Sequence, residues 1–169
     1  MTRSFVFDAS VLVDYFEADL GATLRLVSAH GRSLVPETTV LELERGSKGE
    51  RRRRQIKDAK LDICLPTFKQ LSEGGRRVPG LSFEDHVCLI VARDLPGVCV
   101  ANDGPLRTQC MAAHVETLRG LRLLLILFEQ GLLSHAETAR AGQRLAIAGR
   151  YRQRVLDDFA AEMERSIGK

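Results

Sequence analysis

Four widely spaced acidic residues, Asp8, Glu42, Asp85 and Asp103, fall where carboxylates can do chemistry as well as keep a surface soluble. Asp8 ends the apolar run SFVF and Asp103 follows VCVAN. Glu42 and Asp85 belong to the segments ETTVLELERG and SFEDHVCLIVARD. Singly, each has an ordinary structural explanation. Asp8 suits a helix cap, Thr39-x-x-Glu42 and Ser82-x-x-Asp85 match a capping box, and Asn102-Asp103-Gly104-Pro105 is turn chemistry. Together they occupy two strand ends and the first turns of two helices, all bordering one edge of a sheet. Carboxylates gathered in a dry pocket repel one another and raise each other's pKa, so a cation is the natural compensation. Oxygen ligands without Cys or His select Mg²⁺ or Mn²⁺ over zinc or copper. Such an ion orients phosphate oxygens, activates water and neutralises charge on the leaving group. That is sufficient for phosphodiester hydrolysis without a His or Ser nucleophile.

The elements that must position these residues follow from apolar runs and breakers. FVF at 5–7 reads as a buried strand running into the helix DASVLVDYFEA, with Asp8 at the junction. GATLRLVSAHG predicts a helix ended by Gly31, SLVP a second strand, and ETTVLELERG a helix stopped at Gly46. LDICLP supplies a third strand and TFKQLSEGG a short helix. SFEDHVCLIVARDLPG is a helix with Ser82 as N-cap and Phe83, Val87, Ile90 and Val91 as its apolar stripe. VCVAND, GPLRTQCMAAH and VETL complete the alternation as strand, helix and strand. Short apolar strands alternating with helices predict an α/β sandwich, a parallel sheet covered on both faces. Ligands gather at the carboxyl ends of such strands, where Asp8 and Asp103 are placed.

From about residue 117 the pattern is helical only, which divides the chain into a domain over 1–116 and a helical C-terminal extension over 117–169 packed on it. Leu121, Leu124, Leu125 and Phe128 share one face there, a stripe that serves as core or as dimer interface, and a homodimer is expected. A chain of 169 residues with 44% apolar content can bury one substantial core. The run LLLILF is far shorter than the roughly 20 residues that span a bilayer, so no membrane segment is expected. Asp8 and Asp14 interrupt the apolar N-terminus, which reads as fold and not as a signal peptide. Cys64, Cys88, Cys99 and Cys110 form no CxxC pair and fit a reducing cytoplasm. The run Arg51, Arg52, Arg53, Arg54 has two readings, a nucleic-acid-binding patch that neutralises phosphates or a solvated helix face.

The strings VFDASVLVDYF, VPETTVLELER, LSFEDHVCLIVARD and VCVANDGPLRTQC resemble the four successive motifs of the PIN domain family, in the family's order, over about the first 115 residues. The resemblance implies a three-layer α/β/α fold with a mostly parallel five-stranded sheet and a Mg²⁺- or Mn²⁺-dependent ribonuclease. By the same resemblance Asp8, Asp85 and Asp103 hold metal, Glu42 binds metal or positions the attacking water, and Ser10 and Asn102 are supporting polar residues. Many stand-alone prokaryotic members are VapC-like toxins inhibited by an antitoxin protein. The chain departs from the family at Glu84-Asp85-His86, where an Asp followed by a small residue is usual; His86 is expected to pack near the site. The tail resembles a prokaryotic subgroup with a helical extension. An Asp ending the first strand also suggests haloacid dehalogenase-like phosphatases or receivers. The phosphatases want a second Asp where Ser10 stands, and both want a lysine at a strand end, where none is found. A PIN fold that binds nucleic acid or protein without turnover is the remaining alternative.

Overall fold

Strand β1 (Ser4–Phe7) carries no exposed position because both faces of the sheet are covered. Phe5 and Phe7 point into one apolar core and Val6 into the other. The same alternation places Val98 and Val100 of β4 (Val98–Val100) in the first core and Cys99 in the second. With β2 (Arg32–Pro36), β3 (Asp62–Cys64) and β5 (Glu116–Leu118), these strands form a five-stranded sheet in the order β3-β2-β1-β4-β5, parallel throughout. The architecture is therefore α/β with helices on both faces, as expected. The computed structural model describes residues 3–149 and 151–167; residues 1–2 of the expected 1–116 domain, and Arg150 and residues 168–169 of the expected 117–169 extension, lie outside it.

The strand order reverses at β1 and β4, so their carboxyl ends open a crevice between diverging connections. Helix α1 (Ala9–Glu17) leaves β1, α3 (Glu37–Glu44) leaves β2, and α7 (Gly104–Ala112) leaves β4. Helix α6 (Phe83–Asp94) crosses back to β4 and buries Val87, Ile90 and Val91 against Val6, Leu34 and Cys99. Phe83 departs from the predicted stripe. It is the first helical residue of α6 and stays 42% exposed.

The expected single helix over GATLRLVSAHG breaks in two. Helix α2 (Gly21–Arg25) passes into a 3₁₀ turn at Leu26–Ala29, where the Ser28 hydroxyl donates to the Arg25 carbonyl at 2.7 Å. That local bond competes with regular helix geometry. The segment ends at Gly31, where a Cβ would lie 2.3 Å from the Arg3 carbonyl oxygen.

The arginine run forms helix α4 (Gly49–Asp58), and its four members do not share one face. Arg52 is buried, ion-paired with Glu17, its guanidinium carbon 5.8 Å from the centre of the Phe16 ring. Arg53 pairs with Glu44 at 2.6 Å, Arg54 lies 3.9 Å from Glu50, and Arg51 is exposed. Successive residues of a helix point about 100° apart. Arg52 therefore belongs to the packing of α4 on α1, and the run is not one phosphate-binding surface.

Beyond the short α5 (Phe68–Gly74), the remaining helices are α8 (Gly120–Glu129), α9 (His135–Ala148) and α10 (Gln153–Ile167). In α8, Leu121, Leu123, Leu124, Leu125 and Leu127 are all buried and join the core that holds Phe7, Leu12 and Phe16, with Phe128 packed against it. The leucines of the stripe are thus part of the chain's own core, and Phe128 is partly buried at its edge. Helices α9 and α10 meet so closely that a Cβ on Gly142 would lie 2.4 Å from the Phe159 ring. Among the described residues no helix is long and apolar enough to cross a membrane.

Candidate active site

Asp8 sits at the end of β1 and caps α1, its Oδ2 accepting from the Ser10 backbone N–H at 3.0 Å and from the Ser10 hydroxyl at 2.5 Å. Ser10 Oγ in turn accepts from the backbone N–H groups of Asn102 at 3.0 Å and Asp103 at 3.3 Å. One hydroxyl thereby ties together the two strand ends that flank the crevice. Asp103 is the N-cap of α7 and accepts from the Leu106 N–H at 2.8 Å. Asp85 is the third residue of α6 in the predicted capping box, accepting from the Ser82 N–H at 2.9 Å while Ser82 Oγ accepts from the Asp85 N–H at 3.1 Å.

Glu42 differs from its prediction. Thr39 is not an N-cap, because α3 begins at Glu37 with Pro36 ahead of it; Glu42 is its sixth residue, in the second turn. Neither capping nor pairing accounts for it, since Glu42 Oε2 is buried with no partner among the described residues. The neighbouring Arg45 is engaged with Glu84 at 2.5 Å.

All four carboxylates line one cleft of about 950 Å³ together with Ser10 and Asn102. Their electrostatics match a crowded acidic pocket. Burial pushes the Asp8 carboxyl up to about 6, against the opposing hydrogen bonds from Ser10, and the charge of Asp85 adds to the shift. Glu42 is pushed up to about 7, first by burial and then by the charges of Asp8, Glu84 and Asp85. Among the described residues no three His, Cys, Asp or Glu side chains converge as they stand into a chelating group. The donor set still suits Mg²⁺ or Mn²⁺: it is all oxygen, it includes the orphaned Glu42 oxygen, and Mg²⁺ keeps several waters while taking only one or two carboxylates directly.

Both raised carboxyls bear on stability. Each favours the protonated form when folded, so its contribution is fully present below its unfolded pKa near 4 and is lost as pH rises through the folded values near 6 and 7. For the buried Asp8 the loss is on the order of 3 kcal/mol. In EDTA the protein is expected to melt at lower temperature at pH 8 than at pH 5, with Mn²⁺ recovering more at pH 8. Equal melting at both pH values would contradict the repulsion.

Sequence reasoning missed several residues that share the cleft, notably Asp14, Tyr151, Arg107, Arg119 and Arg152. Asn102 organises part of this group. Its Nδ2 donates to Asp14 Oδ2 at 2.7 Å and to Tyr151 Oη at 2.8 Å, and its Oδ1 accepts from the Gly120 N–H at 3.0 Å. The Tyr15 hydroxyl donates to the Gly120 carbonyl at 2.8 Å. Gly120 admits this approach, since a Cβ there would lie 3.0 Å from Tyr151 Oη and 3.2 Å from the Tyr15 ring. Asp14 was findable, being four residues after Ser10 on one face of α1. Tyr151 had no sequence signal, because only the path of the extension brings it back.

His86 packs away from the cleft, its Nδ1 3.2 Å from the Gly74 and Arg76 carbonyl oxygens. The thiols are free, and Cys88 and Cys99 lie 4.0 Å apart in the second core. In comparisons with known proteins, no family model matches the chain, and no curated protein matches it significantly.

Proposed function

We propose that this chain is a divalent-metal-dependent ribonuclease whose site is formed by Asp8, Glu42, Asp85 and Asp103. The observation that carries the reading is that four carboxylates from four separate elements line one cleft, with Asp8 and Glu42 raised by burial and by their acidic neighbours. Such a cluster persists best when a cation compensates it. Asp8, Asp85 and Asp103 would hold Mg²⁺ or Mn²⁺, and the ion would polarise the phosphate and lower the pKa of its water. Glu42, half-buried beside them, orients the attacking water. Ser10 and Asn102 keep the ends of β1 and β4 in register by the hydrogen bonds above. RNA as substrate rests on the resemblance to PIN domains. So does an antitoxin partner that covers the cleft.

The spacing that leaves no three carboxylates in chelating reach favours one second reading, a nucleic-acid-binding module without turnover. Incubating the purified protein with defined single-stranded RNAs in Mn²⁺ or in EDTA separates the two. Cleavage in Mn²⁺ that EDTA abolishes is expected; RNA that stays intact in Mn²⁺ while binding persists supports the second reading.

A further inference from the structure

The cleft is not acidic throughout. Arg107 of α7, Arg119 at the start of α8 and Arg152 just ahead of α10 line it alongside the carboxylates. Among the described residues no carboxylate pairs with any of the three, whereas Arg45, Arg52, Arg53, Arg93 and Arg122 all have carboxylate partners. Arg107 is the most telling. Its Nε is buried and lacks an acceptor, and burial together with the like charge of Arg119 pushes its pKa down. A half-buried guanidinium held beside a second one, with no anion to accept its N–H groups, is unfavourable until an anion arrives. Arg107 also stands one helical turn beyond Asp103, with its backbone N–H donating to the Asp103 carbonyl at 3.2 Å, so the cationic group adjoins the acidic one. Arg107, Arg119 and Val155 continue from the cleft into a depression of about 390 Å³ between α8 and α10.

We infer that Arg107, Arg119 and Arg152 form a subsite for backbone phosphates of a single-stranded nucleic acid, placed next to the carboxylate cluster so that the strand enters the cleft along α7 and α10. This deepens the ribonuclease reading and rests on it for the identity of the ligand. Guanidinium forks match phosphate oxygens in geometry and charge. The subsite assigns the C-terminal extension a role in gripping substrate, since Arg152 and Arg119 come from it. Of the arginine run in α4, Arg52 is buried on Glu17 and can add nothing to such a grip.

The test is fluorescence anisotropy of a labelled single-stranded RNA, and of DNA of the same sequence, titrated with the full chain in EDTA at several salt concentrations. Each phosphate contact on a single strand contributes about 0.7 to the slope of log affinity against log salt. Arg107→Gln and Arg152→Gln are each expected to flatten the slope by about that amount and to weaken binding roughly three- to tenfold. RNA and DNA should change alike, because phosphates carry no base information. Arg107→Lys, which keeps the charge, should keep the slope. Arg25→Gln, at an exposed arginine outside the cleft, should change nothing. Arg152 is exposed, so its substitution leaves folding intact, and circular dichroism checks the Arg107 variants. Unchanged slopes in both Gln variants, an equal loss with Arg25→Gln, or no salt-dependent binding by the wild type overturns the subsite. Slopes that respond while Mn²⁺ fails to support cleavage would remove the enzymatic reading and leave the subsite standing; cleavage with unresponsive slopes would do the reverse.

Discussion

Asp8→Asn is expected to reduce Mn²⁺-dependent RNA cleavage at least roughly a hundredfold, on the scale of losing one preorganised electrostatic contact in an active site, while making the ion-free protein more stable. The two effects have one cause. Asp8 is buried at 2% exposure near Asp85 and Glu42, and its carboxyl is held up to about 6. At pH 8 without metal, folding must therefore bury a charge that the environment disfavours. Asn removes the charge and keeps an oxygen able to accept from Ser10, and it caps helices as well as Asp does. The gain has a ceiling on the order of 3 kcal/mol, a rise in melting temperature of roughly 6 to 12 °C for a chain of this size. At pH 5 the gain should shrink, because Asp8 is then largely protonated in the fold. Cleavage assays and thermal melts of the purified variant read both effects. Undiminished cleavage would remove Asp8 from the reaction, and an unchanged melt at pH 8 in EDTA would remove the repulsion.

Truncation after Leu118 is expected to abolish cooperative folding. Helix α8 places Leu121, Leu123, Leu124, Leu125 and Leu127 at no more than 2% exposure against Leu12, Tyr15 and Phe16 of α1. A fully buried leucine contributes about 2 kcal/mol, so the five sum to about 10 kcal/mol, comparable to the whole stability of a typical domain. The cut also removes the Gly120 N–H and Tyr151 hydroxyl that hold Asn102. The fragment should be insoluble, or show helical signal without a cooperative melt. A sharp, reversible transition in the fragment would make the extension an independent appendage.

That expectation changes what the boundary near residue 117 means. The switch from alternating elements to helices was legible in composition, and so was the apolar stripe of α8. Its use as core or as interface was not, because a stripe records only that a face must be covered. Burial of that stripe in the core of α1 settles this for α8. The arginine run shows the same limit. Four consecutive cations look alike in a string, yet helical rotation turns Arg52 onto Phe16 and Glu17 and leaves Arg51 exposed. Glu42 shows it in another way, since Thr39-x-x-Glu42 has capping-box spacing but falls inside α3 once Pro36 starts the helix.

What the residues determined by themselves was local: the apolar runs that become strands, the Ser82–Asp85 capping box, and Asp8 and Asp103 at strand ends. These follow from short-range sterics and hydrogen bonding, which act between neighbours in sequence. The tertiary structure alone decided that the acidic site has a cationic wall. Arg107, Arg119 and Arg152 are separated from Asp8 by about a hundred residues or more, and they meet it only because parallel strands β1 and β4 adjoin and the extension folds back over α1. Such proximity arises from burying α8 and α10 in a shared core, a long-range effect that no local pattern carries.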